Sequence, residues 1–98
     1  MGQLDYSLDV TWEPQQLRAG QAATITVKVN NLSGEVTSMH LAVPSEGFYE
    51  TFRRTGENRF TLTGQVPWEA YGVYSVHFYG RDAQGNKGPE TVVDIRIA

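Results

Sequence analysis

The side chains best suited to chemistry are the two histidines, His40 and His77, in a chain that has no cysteine. Each histidine alternates with apolar residues along its segment, and this pattern predicts that both imidazoles face outward from a sheet. A pair of imidazoles on neighbouring strands could bind a divalent metal. Zinc sites, however, generally need three or four ligands, and no carboxylate is spaced to join this pair. We therefore expect solvated histidines and no cofactor, with His40 and His77 as the ligands if a metal did bind.

A second group consists of aromatic residues that the alternation does not bury, namely Trp68, Tyr71 and Tyr49. Exposed aromatic rings stack on sugars, so these three residues could form a platform for a polysaccharide. The competing interpretation is structural. Trp68 and Tyr71 lie in a corner between two strands, where aromatic side chains often cover the end of a core.

A third group is formed by polar residues that the alternation places on one exposed sheet face. If the last strand pairs with the one before it, this face is a candidate surface for binding another protein. Its residues are Ser38, His40, Ser75, His77, Tyr79, Asp94 and Arg96.

Calcium is a further ligand to consider, because Asp82, Asn86 and Glu90 surround a turn rich in glycine. Oxygen-rich loops can hold Ca²⁺, but the EF-hand spacing is absent. Asp and Asn also favour turns for their own local hydrogen bonds, and this is the interpretation we prefer.

Several function classes are disfavoured by composition and motif. The chain has a net charge of −3 over 98 residues and lacks the basic stripe that is typical of a nucleic-acid-binding domain. No apolar run is long enough for a membrane span, so we expect no membrane insertion. The serines lie in no nucleophile-elbow motif, and there is no phosphate-binding glycine loop. The sequence therefore favours a domain that is not an enzyme.

These residues must be positioned by β-strands, because the dominant pattern is alternation of apolar and polar residues. Strands are predicted at 4–12, 23–29, 36–43, 48–54, 60–66, 74–80 and 93–97. The facing of the segment 48–54 cannot be assigned from its pattern. Seven or eight short strands in about 100 residues predict an all-β, two-sheet sandwich, and 98 residues suit a single domain. The predicted core is Leu8, Val10, Trp12, Ile25, Val27, Val29, Met39, Leu41, Phe60, Leu62, Tyr74, Val76, Phe78, Val93 and Ile95.

One segment carries a family resemblance. Residues 72–86 read GVYSVHFYGRDAQGN and resemble the pattern G-x-Y-x-V-x-V-x-A-x-D-x-x-G-N of bacterial immunoglobulin-like domains, where it forms the sixth strand and the turn after it. Tyr74 matches the tyrosine-corner position of such domains. Val76 stands where antibody domains carry their second cysteine, so aliphatic packing replaces that disulfide.

The resemblance implies an immunoglobulin-like Greek-key sandwich of seven to eight antiparallel strands. It also implies a non-catalytic module within a larger bacterial protein that is extracellular, on the cell surface or periplasmic. Such modules act as spacers or as protein-interaction domains, with neighbouring domains of the same chain as their first partners. The alternative is an accessory module that binds carbohydrate or metal.

Overall fold

The computed structural model describes residues 4–98. Within them the chain forms eight strands: β1 (Asp5–Glu13), β2 (Ala22–Ser33), β3 (Ser38–Val43), β4 (Phe48–Thr51), β5 (Arg53–Gly56), β6 (Arg59–Gln65), β7 (Gly72–Arg81) and β8 (Thr91–Ile97). A single 3-10 turn (Pro44–Glu46) joins β3 to β4. The all-β fold predicted from the alternation is confirmed.

In the described part of the chain, the strands form two antiparallel sheets of four strands each. Sheet A has the order β1-β2-β6-β5, and sheet B has the order β4-β3-β7-β8. Their apolar inner faces pack against each other and form one core. This arrangement is a β-sandwich and is compatible with an immunoglobulin-like one.

The alternation correctly identifies the core. Every residue of the predicted core is either buried or packs against the buried cluster. The pattern missed residues whose burial depends on turns and strand ends. Leu17, which we placed in a turn, is buried and forms a parallel β-bridge with Ile97 of β8. Val36 precedes β3 and is buried as well.

The segment predicted as one strand at 48–54 is in fact two strands that belong to different sheets. β4 pairs with β3 in sheet B, and β5 pairs with β6 in sheet A. Phe52, between them, is buried and its N–H donates to the Met39 carbonyl at 2.8 Å. Its ring meets Phe78 edge to face, with centroids 6.1 Å apart. Because the chain changes sheets at Phe52, no single facing describes the segment.

Tyr6 connects the two sheets at one end of the sandwich. Its hydroxyl donates to the Pro89 carbonyl and accepts the Gly80 N–H, both at 2.7 Å. Burial raises the pKa of Tyr6, although the Gly80 hydrogen bond opposes that effect. The phenol therefore acts as a neutral clasp between β1 and the β7–β8 connection.

Candidate functional site

The predicted polar residues share the outer face of sheet B. In the strand register, His40 lies opposite Tyr79, and Ser75 lies opposite Asp94. Each of them alternates with an inward neighbour, as Arg96 does between the buried Ile95 and Ile97. The structure thus places Ser38, His40, Ser75, His77, Tyr79, Asp94 and Arg96 on one surface.

His40 is held at the centre of this face by its neighbours on three strands. Its Nε2 lies 2.8 Å from the Ser38 hydroxyl, and its Nδ1 lies 3.3 Å from the Thr51 hydroxyl. The ring stacks on Tyr79, with centroids 5.3 Å apart and planes inclined by 25°. Partial burial, and then the positive charge of Arg81, lower the pKa of His40. The ring is therefore a fixed, neutral group at pH 7.

His77 belongs to a second polar cluster, which reaches the β7–β8 connection. Its Nδ1 lies 2.7 Å from Glu90 Oε1, so the ring N–H donates to the carboxylate. The Lys87 ammonium contacts the other carboxylate oxygen of Glu90 and lies 4.5 Å from the centre of the Tyr79 ring. Hydrogen bonds from Lys87 and then His77 lower the pKa of Glu90. Tyr79 therefore contacts both clusters.

The two imidazoles lie on the same face, but they do not share a set of ligands. Since His40 lies opposite Tyr79 and His77 opposite Ala42, the histidines are diagonal neighbours in the register. Both nitrogens of His40 contact hydroxyl groups, and Nδ1 of His77 is bonded to Glu90. Across residues 4–98, no three histidine or acidic side chains are grouped as metal ligands.

The residues weighed for calcium serve two separate purposes. Asp82 Oδ1 accepts the backbone N–H groups of Gln84 and Asn86, at 3.0 and 2.8 Å. Desolvation raises the pKa of Asp82, but these hydrogen bonds and those from the Asn86 side chain and Gly85 outweigh it and lower the pKa. Glu90 instead faces His77. The structure therefore places the two carboxylates in different contacts, and the Asp82 carboxylate stabilises its own turn.

The three aromatic candidates lie in two places. Tyr49 is exposed on the outer face of sheet B, opposite Ala42. Trp68 and Tyr71 lie in the connection between β6 and β7. Trp68 is 74% exposed and does not cover the core; it lies over Gly20, where a Cβ atom would be 2.4 Å from its ring. Tyr71 donates its N–H to the Tyr74 hydroxyl at 2.9 Å.

The prediction from the sequence missed two apolar members of the outer face, Val73 and Val92. They are 64% and 52% exposed, and Tyr49 is 63% exposed. The signal was present in the alternation, because Val73 and Val92 have the opposite parity to the inward Tyr74 and Val93. The predicted interaction face included only polar residues and Tyr79, so these two valines were left out.

A comparison with known protein families finds no match to the chain, and a comparison with curated proteins finds none either. Within residues 4–98, no helical segment has the length and apolar character needed to cross a membrane.

Proposed function

We propose that this chain is a non-catalytic, immunoglobulin-like module of an exported or cell-surface bacterial protein, and that it binds a partner protein through the outer face of sheet B. The resemblance of residues 72–86 supports the family and the location. The two-sheet antiparallel fold is compatible with that family. On this proposal the module is one domain of a larger protein.

The observation that carries the binding role is the mixture of groups on this face. Tyr49, Val73 and Val92 expose large apolar surfaces beside polar side chains that already hold one another in place. Fixed polar groups lose little conformational entropy when a partner covers them. Exposed apolar and aromatic side chains contribute the burial on which protein interfaces depend. A pure spacer has no need of these exposed side chains.

The hydroxyl next to His40 does not make a persuasive catalytic dyad. Ser38 Oγ lies 2.8 Å from Nε2, the spacing of a nucleophile and its base. The group at Nδ1 is the Thr51 hydroxyl, where serine hydrolases place a carboxylate that stabilises the imidazolium. The lowered pKa of His40 weakens the base further. These features favour a structural hydrogen bond.

The binding role can be tested by site-specific crosslinking in the parent protein on its own cells. A photoreactive phenylalanine analogue at Tyr49 should give a discrete protein adduct, which the double variant Val73→Lys/Val92→Lys should abolish. The matched controls are the same analogue at Thr11, on the outer face of sheet A, and the double variant Thr11→Lys/Thr26→Lys. Equal crosslinking from both faces, or none from Tyr49, would favour a spacer.

A further inference from the structure

A cleft opens between the two sheets beside the second half of β6. β5 pairs only with residues 59–61 of that strand. Residues 62–65 pair with β2 on one side and with no strand on the other side in the described structure. The free edge arises because the chain returns to sheet A only after Phe52, so that β5 begins at Arg53 and covers only the first half of β6. The edge spans about 13 Å at the usual rise per strand residue.

Backbone hydrogen-bonding groups point out of this free edge. The Val66 N–H donates to the Gln21 carbonyl at 2.9 Å, and the Asn58 carbonyl accepts from Val29 at 2.8 Å, both toward β2. Backbone groups of alternate residues in a strand point to the same side. Thr63 and Gln65 therefore direct their N–H and C=O groups away from β2. Among residues 4–98 nothing bonds to these four groups.

The edge lies above an apolar cavity of about 520 Å³ that reaches the core. Ile25 and Leu62 line it from sheet A, and Leu41, Val43 and Val76 line it from sheet B. Gly64 faces inward at this point, and a Cβ atom built on it would meet no atom within 4 Å. The volume falls within the range of sites that hold small ligands or side chains. The cleft therefore has room for inward-pointing apolar groups.

The charged residues that line the cleft are all acidic. Glu46, Glu50 and Glu69 are among its lining residues, and no lysine or arginine is. A cationic guest is attracted by this arrangement. A second copy of the chain, with the same acidic mouth and a net charge of −3, is repelled.

We propose that the cleft binds an extended peptide segment that adds a strand to sheet A along residues 62–65, with inward side chains that are apolar at its centre and basic at its ends. Its backbone pairs with Thr63 and Gln65, and its central apolar side chains enter the space above Gly64. Its terminal lysine or arginine side chains lie on the same face of the added strand, because every second residue points the same way, and they meet the glutamates that line the cleft. This is strand addition at an open sheet edge. The surface is separate from the outer face of sheet B, so either proposal can fail without the other.

The probe is a capped heptapeptide of sequence Lys-Thr-Val-Thr-Val-Thr-Lys, which turns two valines and both lysines to one face. It is titrated into the ¹⁵N-labelled domain and followed by NMR. We expect saturable shifts at Thr63, Gly64 and Gln65 and slower hydrogen exchange at the Thr63 and Gln65 amides. Replacing the lysines with glutamate should weaken binding about tenfold or more, because like charges then meet. Two further peptides carry methyl groups on alternate backbone nitrogens, one on the odd-numbered residues and the other on the even-numbered residues. Only the peptide whose methylated nitrogens would pair with β6 should lose binding.

Two glycine variants separate this cleft from a general surface effect. Gly64→Val fills the space and should weaken peptide binding at least about tenfold, since the apolar side chains lose their pocket. Gly56→Val, in the paired strand β5, should bind the peptide as the wild type does.

Glu69→Gln should weaken binding, and Glu57→Gln, in the turn before β6, should not.

Any of three results of the peptide titrations overturns the proposal. These are the absence of a saturable shift at millimolar peptide, shifts confined to the outer face of sheet B, and equal binding by both methylated peptides and the parent. Self-association through residues 62–65 in the absence of peptide would assign the edge to a second copy and would overturn the proposal as well.

Discussion

The two halves of β6 differ sharply although they belong to one continuous strand. Phe60, in the first half, faces inward and is 1% exposed, and the Arg54 guanidinium of β5 lies 5.7 Å from the centre of its ring. Gly64, in the second half, also faces inward, but it leaves a cavity and an unpaired edge. The crossing at Phe52 therefore determines where sheet A is complete.

The glycines of the molecule reveal the same contrast in packing. At Gly88 a Cβ atom would lie 2.4 Å from Cε2 of Tyr6, and at Gly80 it would lie 2.9 Å from a Val36 methyl. At Gly64 it would touch nothing within 4 Å. The end of the sandwich near Tyr6 is thus tightly closed, while the side beside residues 62–65 is open.

The largest effect is expected at the closed end, from Gly88→Ala. The new methyl group collides with a ring that two hydrogen bonds hold in place, so we expect a loss of about 3 kcal/mol in the free energy of unfolding. Urea denaturation measures it. Gly64→Ala is the matched control and should be tolerated. A loss below about 0.5 kcal/mol at residue 88 would show that this end is not tightly packed.

The next effect concerns the Tyr6 clasp. Tyr6→Phe keeps the ring but leaves the Gly80 N–H and the Pro89 carbonyl without the phenol, which should cost about 2 kcal/mol. Tyr49→Phe, which alters an exposed phenol, should leave stability unchanged in the same denaturation experiment. Equal stability of the two variants would mean that the clasp contributes nothing.

At the open side, beside residues 62–65, a larger side chain should stabilise the protein instead of destabilising it. Gly64→Val adds a branched side chain to a strand with space for it, so we expect a gain of about 1 kcal/mol in the free energy of unfolding. The change in thermal midpoint measures it, and Gly56→Val, which lies in β5 outside the cleft, should gain less. Destabilisation by Gly64→Val would indicate that the cavity is filled by rearranged side chains in solution.

The smallest effect is the pH dependence that His40 contributes. Its pKa in the folded protein lies below the usual 6.5, because burial and then Arg81 disfavour the charged ring. The unfolded chain therefore binds the proton first, and the His40 contribution to stability, complete above pH 6.5, is lost as pH falls from there toward the lowered folded pKa. Urea midpoints at several pH values should fall less steeply in His40→Gln than in the wild type. Parallel curves for the two proteins would contradict this sign.

The alternation of apolar and polar residues predicted which side chains of a strand face the core and which face outward. The alternation placed Val27 and Phe78 in the core and His40 and His77 on one outer face. It could not identify the crossing at Phe52, because pairing with two different sheets depends on contacts distant in sequence.

The Tyr6 contacts and the cleft could not be predicted either, because they too depend on residues that are distant in the sequence. Tyr6 is held by β7 and by the connection that follows it, more than 70 residues away, through its hydrogen bonds to Gly80 and Pro89. The cleft depends on the absence of a neighbour beside Gly64, and a strand pattern contains no information about which residues lie across from it.

The claim that β6 is half covered and half open is tested most directly by native-state hydrogen exchange of the free domain. Thr61, Thr63 and Gln65 all turn their amides away from β2, but only Thr61 has β5 beside it. We predict that the Thr61 amide is protected and that those of Thr63 and Gln65 exchange at rates close to those of unstructured peptide. Protection of Thr63 and Gln65 equal to that of Thr61 would contradict the open edge and the peptide site built on it.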